Sequence, residues 1–309
     1  MPRPILLGVV GDSAAGKTTL TRGLVRLLGE DQITHVAADD YHRYDRAQRA
    51  ERGVTPLHPD CNHLDILGQH LRHLRAREPI LKPVYRHRDG TFQPPRYVRA
   101  GQFTIVEGLL GFHTGALRDV YDVRVFLAPP EDMRRRWKVQ RDCSRRGYTT
   151  DEVLHELERR ENDAETYIRP QQRHADIVIS FMPGDRGDQD RLDAHVTMRA
   201  SLVHPDLAPF VDRNGITLAA RGSEKHLWIS GTLGAERGAA IEEAVWDQMQ
   251  FASHLRTERL GEFSIGTELH RSETLAIVQV LVLYHLVTAR AAVALGGNGT
   301  RADREVVRP

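Results

Sequence analysis

Cysteine is nearly absent from this chain: there are two, Cys61 and Cys143, far apart and without a CxxC partner. A disulfide framework is thereby excluded and a zinc site finds little support. His58, Cys61 and His63 lie close in sequence, but they match no common zinc spacing and sit beside Pro56 and Pro59 in what reads as a polar loop. Charge of one sign is lacking too. The 43 Lys and Arg against 42 Asp and Glu leave a net charge of +1, so no global field recruits nucleic acid or a membrane surface. No stretch reads as the ~18–20 apolar residues of a membrane span, and Met-Pro-Arg-Pro before the apolar run at 5–10 is no signal peptide. The chain is expected to stay in the cytoplasm, without membrane or nucleic-acid partners. What is present is ordinary: 309 residues with 40% hydrophobic side chains, enough for one core with a smaller attached unit.

The first 183 residues alternate between two periodicities. Short apolar runs at 5–10, 33–38, 103–106, 123–127 and 177–179 read as buried strands. Helical spacing fills the gaps at 18–28, closed by Gly29, and at 41–52, 65–75, 131–145 and 151–165. The alternation predicts an α/β domain with a doubly wound, mostly parallel sheet over residues 1–183. Pro183-Gly184-Asp185-Arg186-Gly187 marks a break. A smaller α+β extension is expected over 184–294, with β-like pieces at 216–219 and 226–229 and helices at 239–255 and 274–291. Those two helices carry enough apolar positions to expect a homodimer. Residues 295–309 read as a flexible tail. There is no internal repeat.

Chemistry concentrates at the strand ends. Gly11-Asp12-Ser13-Ala14-Ala15-Gly16-Lys17-Thr18 fits G-x-x-x-x-G-K-[ST] and stands between a strand and a helix, the context this motif requires. Its backbone N–H groups would cradle phosphates, with Lys17 on the β- and γ-phosphates and the Thr18 hydroxyl toward Mg²⁺. Thr19 continues the helix start. Phosphoryl transfer to an alcohol needs one carboxylate at the acceptor oxygen and another near the metal. Asp39 and Asp40 end the second strand and Glu107 ends the third, on the side where open α/β sheets bind ligands. Asp39-Asp40 could instead cap a helix. An acid ending an apolar strand, as Glu107 does, is costly unless it binds something.

His42, Arg43, Arg46, Arg49 and Arg52 follow at helical spacing, a basic face suited to a phosphorylated acceptor; a solvated face paired with Asp45 and Glu51 is the alternative. Between Arg134 and Arg146 lie seven basic residues and a single acid, Asp142, on a helix ended by Gly147. This density reads as a lid over polyphosphate charge. An RNA-binding face would interleave aromatics and glycines, which this run lacks.

Together these segments resemble the phosphoribulokinase and uridine kinase family of P-loop kinases, and within it the phosphoribulokinases more closely. The matching stretches are GVVGDSAAGKTT, ADDYHRYDR, GVTPLHPDCNHLDIL, KPVYRHRDG, IVEGLLGF, WKVQRD with RRGYTT, and PQQRHADIVIS. A weaker likeness continues through ITLAARGSEKHLWISG and ETLAIVQVLVLYHL. The resemblance implies ATP- and Mg²⁺-dependent transfer to a hydroxyl of ribulose 5-phosphate, giving ribulose 1,5-bisphosphate. A uridine or cytidine kinase, a kinase for another pentose phosphate, and an ATP-binding regulator without catalysis are the other readings. The resemblance also implies Asp39 as the base, with His42, Arg46, Tyr85, His87 and Arg141 at the sugar phosphate; Arg49 or Arg52 would supply a further charge there. Glu107 falls on the metal side. Lys138, Arg141, Asp142 and Arg146 match lid residues, Arg141 and Asp142 among the catalytic group. Ala50 stands where related enzymes carry a lysine. Ala15 and Ala37 stand where the oxygenic photosynthetic relatives carry regulatory cysteines, so no thioredoxin-type switch is expected.

Overall fold

The computed structural model describes residues 2–184, 191–211, 215–255, 260–265 and 268–301. Its first part runs β1 (Ile5–Gly11), α1 (Lys17–Leu28), β2 (Ile33–Ala37), α2 (Arg46–Glu51), α3 (Leu64–Arg75), β3 (Ile80–Arg86), β4 (Thr91–Val98), β5 (Phe103–Gly108), α4 (Gly115–Arg118), β6 (Val123–Leu127), α5 (Glu131–Arg146), α6 (Thr150–Asp163) and β7 (Ile177–Pro183). Its second part runs β8 (Leu192–Arg199), β9 (Ile216–Arg221), β10 (Glu224–Ile229), α7 (Ala235–Asp247), β11 (Glu262–Ile265), β12 (Glu268–Arg271) and α8 (Glu273–Ala294).

Every residue of β1 is buried, a pattern only a central strand covered on both faces can use. It pairs in parallel with β5 and β6, Leu7 lying opposite Ile105 on one side and Val123 on the other. One eight-stranded sheet results, in the order β2-β5-β1-β6-β7-β8-β10-β9. Its first five strands are parallel and its last three antiparallel. The expected doubly wound sheet is therefore present, and the C-terminal strands continue it. Alternation along β1 divides the core. Ile5, Leu7 and Val9 meet the side of α1, α7 and α8, while Leu6 and Val10 meet Leu67, Leu71 and Leu74 of α3.

Four expectations change. The helix expected at 41–52 is only α2, because Ala38–Tyr41 forms a tight 3₁₀ turn and Asp45 starts the helix through a capping box with Gln48. The hairpin β3–β4 was not expected; Pro94 and Pro95 argue against a strand, and β4 tolerates them because it pairs with β3 alone, outside the large sheet. The strand β8 was also missed, although Ala194, Val196 and Met198 alternate inward along it. Finally, α8 is 22 residues long and apolar enough to cross a bilayer by length and composition, so the exclusion by length does not hold. Its apolar residues serve the interior: Ile277, Val280, Leu281, Leu283 and Leu286 are essentially inaccessible against the sheet and α1. They offer no free surface to a second copy, which removes one ground for expecting a homodimer.

The junction between the two parts is polar and buried. Asp176, at zero exposure, accepts from Arg124 at 3.1 Å and Ser201 at 2.7 Å, and Arg301 also pairs with it. Of the expected tail, 295–301 is tied down by that contact and by a bridge between Leu202 and Arg301. Residues 302–309 lie outside the described ones, as does most of the turn at 183–187.

Candidate active site

The loop between β1 and α1 owes its path to glycine. A Cβ on Gly11 would stand 2.5 Å from the Leu127 carbonyl oxygen of the neighbouring strand, and Gly16 enters α1 at φ 91, which disfavours any side chain. Ala14 also holds a left-handed conformation, φ 65, without that freedom. Lys17 folds back over the loop and donates to the carbonyls of Gly11 and Asp12, both at 2.8 Å. Burial lowers its pKa, opposed by the charges of Asp39, Glu107 and Asp12, while the nearby Arg141 adds to the lowering. Charges from four separate segments thus act on one lysine.

On the metal side, Glu107 ends β5 next to β2 and α1. Its carboxylate accepts from Thr18 at 3.2 Å and Thr21 at 2.9 Å, with His35 Nε2 at 3.6 Å. Burial pushes the acid upward; the nearby His35, the Thr21 hydrogen bond and the Lys17 charge outweigh it and hold the pKa below its ordinary value. Neither Thr21 nor His35 was expected here. Thr21 lies one turn beyond Thr18 on α1, a helical-spacing signal that was available.

The 3₁₀ turn after β2 gives its two aspartates different work. Asp40 accepts from the Tyr85 backbone N–H at 2.8 Å and pairs with Lys82, so it brackets β3 to the turn. Asp39 stays one-third exposed, with His87 Nε2 3.6 Å away. Capping is not its role, since α2 begins at Asp45. Around it, His42 is buried, donates from Nδ1 to Asn62 at 2.8 Å and meets Tyr85 edge-on. Burial lowers the His42 pKa, Asp39 opposing. Arg46 donates to the His87 carbonyl, joining α2 to the hairpin tip.

Arg49, expected at the sugar phosphate, is instead buried. It donates to the Tyr44 carbonyl at 2.5 Å and the Tyr85 hydroxyl at 2.7 Å, so it braces Tyr85. Arg52 lies over the Tyr44 ring. The shared basic face therefore breaks up, because His42 and Arg43 precede the helix.

The cations expected to form a lid converge on one acid. Asp142 accepts from Lys138 at 2.6 Å and Arg141 at 2.8 Å, with Arg146 at 3.4 Å. Burial raises the Asp142 pKa, but Arg141 and Lys138 outweigh it and bring it to about 2. Burial brings Lys138 down to about 8 against the pull of Asp142. Asp142, expected in the catalytic group, thus gathers three cations about one buried carboxylate. Arg141 reaches the P-loop itself, Nη2 lying 3.4 Å from the Ser13 hydroxyl. Thr19 is exposed at the helix start and Ala15 buried beneath the loop.

A strand, a glycine-bounded loop, a folded-back lysine and carboxylates at the neighbouring strand ends define a P-loop α/β protein of the kinase type. The Phosphoribulokinase / Uridine kinase family model matches residues 6–186, more than half of the chain, and the chain belongs to that family. It is 37% identical over 183 residues to a phosphoribulokinase of Synechocystis sp., covering 59% of this chain and 55% of that protein. It is 30% identical over 181 residues to a uridine kinase of Streptococcus mutans, covering 57% and 87% respectively. The chain spans about half the length of the first phosphoribulokinases it matches. A solved phosphoribulokinase from Rhodobacter spheroides superposes with a TM-score of 0.60 at 19% identity, over 82% of this chain and 99% of that one. That likeness concerns the fold, and it reaches past the family match into the C-terminal strands.

Proposed function

We propose that the chain transfers the γ-phosphate of ATP to a hydroxyl of ribulose 5-phosphate, giving ribulose 1,5-bisphosphate. The observation that carries this reading is Lys17, folded back over the glycine loop and subject to the charges of Asp39, Glu107 and Arg141 from three other segments. In it, the loop and Lys17 hold the β- and γ-phosphates. Asp39, whose carboxylate faces only His87 among the described residues, accepts the proton of the attacking hydroxyl. His87, Tyr85 and Arg46 orient the sugar phosphate, and Arg141, Lys138 and Arg146 lie over the transferring group. The charge of Asp39 acts on both His87 and Arg146, which supports placing acceptor and lid on the same carboxylate. Positioning and charge neutralisation supply most of the rate in such a loose transition state.

Mg²⁺ suits the Thr18 hydroxyl and the Glu107 carboxylate, hard oxygen donors within hydrogen-bond distance of each other. Among the described residues no group of three or more His, Cys, Asp or Glu could hold a metal, which fits an ion that keeps waters and takes phosphate oxygens. It would neutralise charge on the phosphates. Arg46, bonded to the carbonyl of the His87 that flanks Asp39, and Arg146, on which the Asp39 charge acts, favour a phosphorylated acceptor over a bare nucleoside.

The test is ADP release from ATP and Mg²⁺ with ribulose 5-phosphate or uridine as acceptor. Turnover on ribulose 5-phosphate alone is expected. Turnover on uridine would reassign the acceptor, and ATP bound but never consumed would point to a regulator.

A further inference from the structure

Arg134 lies on the first turn of α5 and is 3% exposed. Glu131 grips its guanidinium twice, at 2.7 Å and 2.5 Å. The free Nη1 donates to the Ser13 carbonyl at 3.1 Å and stands 3.5 Å from the Asp12 carboxylate. Arg169 approaches that carboxylate at 3.9 Å and Glu131 at 3.4 Å. Asp12 Oδ1 accepts from the Ser13 N–H at 2.7 Å, while its Oδ2 is buried without a hydrogen-bond partner among the described residues. The entry of the P-loop is therefore clamped from α5 by a charge network centred on the buried Arg134 and Asp12. Seven residues along the same helix, Arg141 reaches the Ser13 hydroxyl.

Peptide geometry turns this clamp into a nucleotide-binding device. A trans peptide carries its C=O and N–H on opposite sides. With the Ser13 carbonyl fixed toward α5, the Ala14 N–H points away from α5, into the loop. Ala14 sits at φ 65, a conformation that an alanine leaves unless its surroundings hold it. We propose that Arg134, anchored by Glu131 and Asp12, is a positioning residue that locks the Ser13–Ala14 peptide plane and so presents the Ala14 amide to the phosphates. This rests on the kinase reading only in taking ATP as the ligand of the loop.

The test measures ATP affinity by calorimetry without acceptor, alongside melting temperature, for the wild type, Arg134→Met, Arg134→Lys and Asp12→Asn. Arg134→Met is expected to weaken ATP about 10- to 100-fold, the worth of a buried charge-assisted hydrogen bond. Arg134→Lys should recover part of this, because an ammonium keeps the charge but cannot fork between Glu131 and the Ser13 carbonyl. Asp12→Asn should weaken ATP less, and combined with Arg134→Met should add little to it. Lowered melting temperature with ATP affinity within twofold of wild type in both Arg134 variants overturns the proposal. If Arg134→Met does not fold, wild-type affinity in Arg134→Lys and Asp12→Asn overturns it alone. Because affinity is read without turnover, a chain that binds ATP and phosphorylates nothing would remove the kinase reading while this comparison still decides the role of Arg134.

Discussion

The five parallel strands and the three antiparallel strands share one sheet but divide its labour. The parallel part carries Gly11, Asp39 and Glu107 at or just past its strand ends, a loop and two acids that make poor interior residues. The antiparallel part places no such acid at the cleft; its strands β8 and β10 bury Ala194, Val196, Met198, Leu227 and Ile229 and turn polar side chains outward. Its helix α8 is apolar nearly all round and reaches back across the sheet to α1 and β1. One region tolerates unfavourable burial at the cleft, and the other supplies apolar packing behind it. The lesson is that the extension should control how firmly the P-loop strand is held, with little say over the chemistry.

The sharpest way to separate the two regions is to damage each. Asp39→Asn should cut turnover on the order of 10²–10⁴-fold, the share of a general base, with ATP affinity and melting temperature near wild type. Near-normal turnover would take the base role away from Asp39. Leu286→Ala, in the buried centre of α8, should cost about 2–5 kcal/mol in denaturant unfolding. The same variant, kept folded at low temperature, should retain turnover within a few-fold. A selective loss of turnover there would mean that the extension shapes the chemistry after all.

The smallest effect is a slope. Burial raises the Glu242 carboxyl on α7 to about 7, with Arg271 opposing and Glu273 reinforcing the shift. The folded state then holds a proton that the unfolded chain releases near pH 4.5. The stability this contributes is full below the unfolded pKa and is lost as pH rises toward 7. Glu242→Gln should flatten the unfolding free energy across that window and leave the pH profile of turnover alone. An unchanged stability slope would show that Glu242 is solvated in the fold.

Much of the parallel half could be read directly. The P-loop, its flanking strand and helix, and the acids Asp39 and Glu107 are local in sequence, and their positions follow from strand ends that period and composition mark. Around the acceptor the reading weakened. His42 through Arg52 has helical spacing, yet Asp45 and Gln48 make a better start than Asp39 does, and the capping box decides the boundary. Arg49 looked like a ligand contact because an arginine shows its charge in sequence, whereas its partner, the Tyr85 hydroxyl, lies 36 residues away. The hairpin hid behind two prolines, and β8 behind a polar alternation that needs a neighbouring strand to become a strand.

By itself, then, the sequence determined the nucleotide loop, the alternation that builds a parallel sheet, and the residue types gathered at the strand ends. These depend on φ/ψ preference, on periodicity and on motifs a few residues long. Tertiary structure alone decided which charges meet. It gave Asp40 to Lys82 and Tyr85 while Asp39 faces His87, gathered three cations of α5 on Asp142, and set Arg134 against Ser13, 121 positions away along the chain. The physical reason is that a buried charge must find its counter-charge in space, and sequence distance does not constrain where that partner is found.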